Sequence, residues 1–114
     1  MKNIAIAFIV LAALTNATFA QASHSVTLNW TASTDTGGTV NVYRTAGACS
    51  TSATFTKIAT GVVAAGPYVD SGIAVGNYCY QVTAVVGGAE SVPSNQAPAS
   101  VLPNAPTILV TIAK

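Results

Sequence analysis

The stretch Ser25-Val26-Thr27-Leu28-Asn29-Trp30-Thr31 sets Val26, Leu28 and Trp30 against Thr27, Asn29 and Thr31. Apolar residues at every second position are the mark of a strand with one face turned to a core. The rhythm returns downstream, where Val40 and Val42 alternate with Asn41 and Tyr43 after the turn cluster Thr34-Asp35-Thr36-Gly37-Gly38. Residues 55–58, 68–70, 78–86 and 97–102 supply further short strands, divided by Gly, Pro, Ser and Asn. No stretch beyond residue 22 carries a helical period. Short strands at this spacing, rich in Thr and Val, predict an all-β fold: an antiparallel β-sandwich, immunoglobulin-like, whose two inner faces share one core.

Around these strands, composition narrows the function classes. The chain has 114 residues, half of them apolar and 6% charged, which allows one small domain and excludes a two-domain enzyme. Four Lys and Arg against three Asp and Glu make no basic field, so nucleic acid is not expected as a partner. Lys2 leads into an apolar run over residues 4–14, followed by small and polar residues ending Ala20-Gln21-Ala22. That is the pattern of a secretory signal peptide over residues 1–22, cleaved after Ala22 or Ala20. The run is too short for a membrane span, and no Cys lies near the cleavage point to carry a lipid. The expected product is a secreted protein, extracellular or periplasmic, with no membrane attachment once the leader is removed. In it Arg44, Lys57 and Lys114 balance Asp35, Asp70 and Glu90. With no net side-chain charge to hold copies apart, self-association becomes an available behaviour.

The segments Val26-Thr-Leu-Asn-Trp30, Val42-Tyr43-Arg44, Tyr68-Val-Asp70, Gly76-Asn-Tyr78-Cys-Tyr80-Gln-Val82-Thr-Ala84-Val85 and Glu90-Ser91 together resemble the fibronectin type III family in order and spacing. The resemblance spans most of residues 23–102, with another immunoglobulin-like sandwich as the competing fold. It implies that Trp30 packs in the core and that Tyr78, at the start of the sixth strand, bonds back to nearby backbone as a tyrosine corner. It also implies that Tyr80, Val82 and Ala84 point inward.

Cys49 and Cys79 form an even count in an oxidising compartment, so a single disulfide is expected. Cys49 follows the strand around Val40 and Cys79 opens the strand around Tyr78, which lets the two meet if those strands are antiparallel neighbours. Because Cys79 alternates with Tyr78 and Tyr80, the bridge is expected on the outer surface of its sheet. A redox-active pair would require a C-x-x-C spacing that is absent.

The two ends of the chain are out of the usual family order. Only Ser23, His24 and Ser25 precede the Trp30 strand after leader removal, so the family's opening edge strand is missing there. Residues 103–114 instead form a linker and a C-terminal segment, Thr107-Ile108-Leu109-Val110-Thr111-Ile112, that resembles such an opening strand. Ile108, Val110 and Ile112 share one face and Leu109 takes the other. The four residues 103–106 reach about 13 Å, whereas a strand is about 17–20 Å long, so the segment is not expected to fill its own slot in the normal direction. Three destinations stay open: a reversed edge strand on its own domain, the vacant slot of a second copy, or a free terminus.

Groups able to do chemistry are few. His24 stands alone and is expected as a solvated imidazole. Asp35 is expected to serve its turn and Asp70 to solvate a strand end. Gly37-Gly38 and Gly87-Gly88 belong to hairpins rather than a phosphate loop. Asn29-Trp30-Thr31 matches a glycosylation acceptor but lies in a strand. No catalytic, cofactor or metal site is expected, and the chain is not expected to be an enzyme. The expected function is a non-enzymatic exported fibronectin-type-III-like interaction or structural module. The alternative is a self-assembling subunit of a head-to-tail filament, its C-terminal strand complementing the neighbouring sandwich. Partners are then proteins or the chain itself, with carbohydrate left open as a ligand class.

Overall fold

The computed structural model describes residues 23–113, so the leader expected at residues 1–22 lies outside the described residues. The described residues form seven strands and no helix: β1 His24–Leu28, β2 Thr39–Ala46, β3 Thr56–Val63, β4 Tyr68–Ile73, β5 Gly76–Val86, β6 Ala89–Glu90 and β7 Ala97–Val101. They make an antiparallel β-sandwich. One sheet is β1-β4, and the other is ordered β3-β2-β5, with β6 and β7 both on the far edge of β5.

The core is centred on the β2–β5 pair. Eight consecutive positions are in register, from Thr39 opposite Val85 to Ala46 opposite Tyr78. The apolar parity of β2 buries Val40 and Val42, that of β5 buries Tyr80, and Ile73 of β4 and Val101 of β7 close over them. Beyond β5 the chain turns through Gly87 and Gly88, with φ of 59° and 81°. Two successive positive φ values are what a two-residue hairpin loop with the twist of its strands requires, and Gly supplies them without a Cβ penalty. Between β6 and β7 the Ser91 and Ser94 N–H groups still donate to the Ala84 and Val82 carbonyls of β5, both at 2.8 Å, and their side chains complete the pairing. The Val82 N–H donates to Ser94 Oγ at 3.0 Å and the Ala84 N–H to Ser91 Oγ at 2.9 Å. Pro93 lies between those serines and has no N–H for a ladder.

Two expectations need correction. The first strand ends at Leu28, and Trp30 lies beyond it, half-buried at one end of the sandwich. Its Nε1–H donates to the Ala64 carbonyl at 2.8 Å, and its ring lies so close to Gly66 that a Cβ there would come within 3.0 Å of it. The indole is therefore half-buried between the sheets beside Tyr80 and Val82, with its N–H on a backbone acceptor. Asp70 does not solvate a strand end: it sits in the middle of β4 and is buried. Its carboxylate accepts from Arg44, which shares the inward parity of Val40 and Val42, and a buried charge needs such a partner. The Cys49–Cys79 disulfide forms, on the face of β5 turned from the core, yet Cys79 is wholly buried. Residues 47–55 fold over it, held by the bridge and by Gln96 Nε2 donating to the Ser50 carbonyl at 2.9 Å.

The C-terminal segment takes none of the ladders of its own sandwich. Residues 102–113 form no strand, and Ile108, Leu109, Val110 and Ile112 are 78–88% exposed. The reversed intramolecular strand is thus not adopted. Pro103 and Pro106 favour extended backbone at the residues before them, and the chain leaves β7 at the end where β1 begins, so the segment departs as an extended arm.

Candidate functional site

The sandwich is lopsided. Val40, Val42 and Tyr80 are buried, whereas the apolar parity of β1 and its continuation, Val26, Leu28 and Trp30, is only half-buried throughout. The cause is the ladder. β1 pairs with β4 along one edge, from Leu28 opposite Tyr68 to His24 opposite Ile73, and among the described residues no strand pairs with its other edge. A strand edge without a neighbour leaves main-chain N–H and C=O groups free to pair with another segment.

Beside that edge the gap between the two sheets opens as a cavity of about 270 Å³. Leu28, Trp30, Tyr80, Val82, Asn95 and Ala97 line it, with no charged residue among its walls. Tyr80 is held in place because its Oη donates to Asp70 Oδ2 at 2.7 Å, while Asp70 is gripped by Arg44 Nη1 at 2.8 Å and 3.0 Å. The floor of the cavity is therefore fixed by a cross-sheet triad. Burial, and then the bond to Asp70, push the Tyr80 phenol above its ordinary pKa, so it stays a neutral donor. Arg44 is raised too, chiefly by its bond to Asp70.

A second cluster lies on the outer face of the β3-β2-β5 sheet. Glu90 Oε2 accepts from Tyr43 Oη, from Thr83 Oγ1 at 2.6 Å and from Asn41 Nδ2 at 3.2 Å, and Thr60 Oγ1 donates in turn to Asn41 Oδ1 at 2.8 Å. Those donors, Thr83 first, hold the Glu90 carboxyl down at a pKa of about 2, and the same bond raises the Tyr43 phenol. Phe55, Gln81 and Pro93 extend the cluster into a shallow cleft of about 400 Å³. One carboxylate already saturated by hydroxyl and amide donors is a structural tie for β6 rather than a general base.

Of the residues singled out from sequence, Cys49 and Cys79 meet. Tyr78 Oη donates to the Ala74 carbonyl at 2.8 Å, four residues upstream. Trp30, Tyr80 and Val82 come together on the cavity wall, while Thr107, Ile108, Leu109, Val110, Thr111 and Ile112 stand clear of the sandwich, exposed. Sequence reasoning did not find the Arg44–Asp70–Tyr80 triad or the Asn41–Tyr43–Thr83–Glu90 cluster. The inward parity of Arg44 with Val42 was the available signal for the first. Among the described residues no three His, Cys, Asp or Glu side chains gather to hold a metal ion, and no helix is long and apolar enough to cross a membrane. Compared with known proteins, the chain matches no family model and no curated protein.

Proposed function

We propose that the chain is an exported, non-enzymatic interaction module of the fibronectin type III kind, which takes up an extended peptide strand along the free edge of β1. The half-exposed apolar row Val26, Leu28 and Trp30, opening onto an uncharged cavity between the sheets, carries this reading. Strand addition supplies main-chain hydrogen bonds for affinity and places alternate side chains in pockets for specificity. The cavity, with no charged residue in its walls, favours uncharged side chains at the positions that enter it. The buried disulfide suits an oxidising compartment outside the cytoplasm.

Uncharged ten-residue peptides of alternating apolar pattern, selected from a displayed library against the chain, test the reading. Bound peptides are expected to slow hydrogen exchange at the amides of residues 24–28. Binders that protect only other parts of the surface would overturn it.

A further inference from the structure

Among the described residues the outer edge of β1 has no strand paired to it, and residues 106–113 form an exposed strip with no ladder of its own. We propose that the strand which fills the β1 edge is the C-terminal strip of a second copy of this chain, so that copies join head to tail. The proposal rests on strand uptake at β1 and names its occupant.

Shape and chemistry agree. Ile108, Val110 and Ile112 lie on one face of the strip at the period-two spacing of a strand, and all are nearly fully exposed in the isolated chain. The cavity walls mix the apolar Leu28, Trp30, Val82 and Ala97 with uncharged polar side chains such as Asn29 and Asn95, and neither the walls nor residues 106–113 carry a charge, so no buried charge is left unpaired. Pro106 stands at the head of the strip, where a strand tolerates a missing N–H. Residues 103–106, with Pro at both ends, form a stiff extended spacer of about 12 Å that carries the strip off its own body.

Direction decides between the chain's own groove and that of a neighbour. β7 is antiparallel to β5, β5 to β2, and β1 to β4, the partner on its other side. In this up-and-down order the chain leaves β7 beside His24. An antiparallel partner for β1 must start at the opposite end, beside Leu28 and Trp30. Reaching that end on its own body would require the spacer to retrace the length of β1, about 16 Å at 3.3 Å per residue, before the strand began. A second copy meets no such limit: it stacks end on end, and its strip enters antiparallel from the Leu28 end. Ile108 then fills the cavity beside Leu28 and Trp30, with Val110 and Ile112 following toward His24. Each copy gives one strip and receives another through different surfaces, so the contact is heterologous and growth stays open-ended.

The test uses the full chain collected after export, its Val110→Asp variant, and a synthetic peptide of residues 103–114. Because Val110 is 78% exposed, the variant is expected to keep the parent's urea midpoint. The parent is expected to sediment as species that lengthen with concentration, and the variant as a monomer that still binds the wild-type peptide at least tenfold more tightly than a Val110→Asp peptide. Excess wild-type peptide is expected to shorten the parent's assemblies. A parent that stays monomeric, a variant that assembles like the parent, or a dimer that never grows would each overturn the proposal. If the parent is monomeric but library peptides still protect residues 24–28, strand uptake stands and only the self-partner fails. If no peptide protects them, strand uptake itself fails.

Discussion

Tyr80 on β5 reaches across the sandwich to donate its hydroxyl to Asp70 on β4, 2.7 Å away, and this bond joins the two sheets at the floor of the cavity. Asp70 also holds Arg44, whose side chain is 31% exposed against 8% for Asp70. Removing the acceptor leaves a half-buried guanidinium and a buried phenol unpaired. Asp70→Ala is therefore expected to cost about 2–4 kcal/mol, below the cost for a fully buried pair because water reaches Arg44. Tyr80→Phe loses one bond to a charged acceptor, about 1.5–3 kcal/mol. Urea titrations of both variants check this, and an Asp70→Ala chain within 0.5 kcal/mol of the parent, roughly the scatter of a surface change, would contradict it.

The same phenol makes the fold sensitive to alkali. Burial raises the pKa of Tyr80 in the folded state, so above about pH 10 the unfolded chain releases a proton that the folded chain retains. Where the unfolded state binds fewer protons, stability falls as pH rises. The parent is expected to lose stability steadily above pH 10, and Tyr80→Phe to lose less over the same range. Parallel pH slopes for the two chains would argue that Tyr80 is not the responsible group.

The alternations Val26/Leu28, Val40/Val42 and Tyr78/Tyr80/Val82 were legible as strands because period-two burial is a local property of the backbone. The disulfide was legible too, since only two cysteines exist and antiparallel pairing of their strands brings them together. Asp70 was not. Its partner Arg44 is 26 residues away, and no local pattern says which inward charge meets which. Glu90 escaped for the same reason, its donors Asn41, Tyr43 and Thr83 arriving from two different strands. The segment around Val110 reads as a strand by pattern, yet a strand exists only beside another edge, and among the described residues it pairs with none.

The bridge between Cys49 and Cys79 closes a loop over a sequence separation of 30. On the chain-entropy account such a loop contributes about 3–4 kcal/mol by restricting the unfolded chain. Changing both cysteines to Ser is expected to lower stability by about that amount and to free residues 47–55 from the outer face of β5. Urea midpoints, with proteolysis confined to residues 47–55, measure the two effects. An unchanged midpoint would mean that Gln96 and its bond to Ser50 suffice to hold the loop.

Glu90 links β6 to β2 and β5, and its low pKa carries a definite sign. The folded chain keeps the carboxylate ionised down to about pH 2, whereas in the unfolded chain it protonates near 4.3. Its contribution is complete above the unfolded value and is lost as pH falls toward 2. The parent is expected to weaken between about pH 4 and pH 2, and Glu90→Gln to start less stable and change less across that window. Equal acid slopes in the two chains would remove Glu90 from the account.

Trp30 is the single tryptophan of the chain, and it stands on the wall of the cavity beside Leu28. Its emission therefore reports on that site alone. In a monomer the half-buried indole is open to acrylamide. Insertion of Ile108 from another copy would place an aliphatic side chain between the ring and water, excluding the quencher and shifting emission to the blue. Assembled parent chain is expected to be less quenchable than the Val110→Asp monomer, and adding the peptide of residues 103–114 to that monomer should restore the protection. Protection that appeared on assembly yet was not reproduced by the peptide would place the contact elsewhere on the sandwich. Equal quenching in assembled and monomeric chains would show that the cavity stays open, since no strand can lie along β1 at Leu28 without covering Trp30.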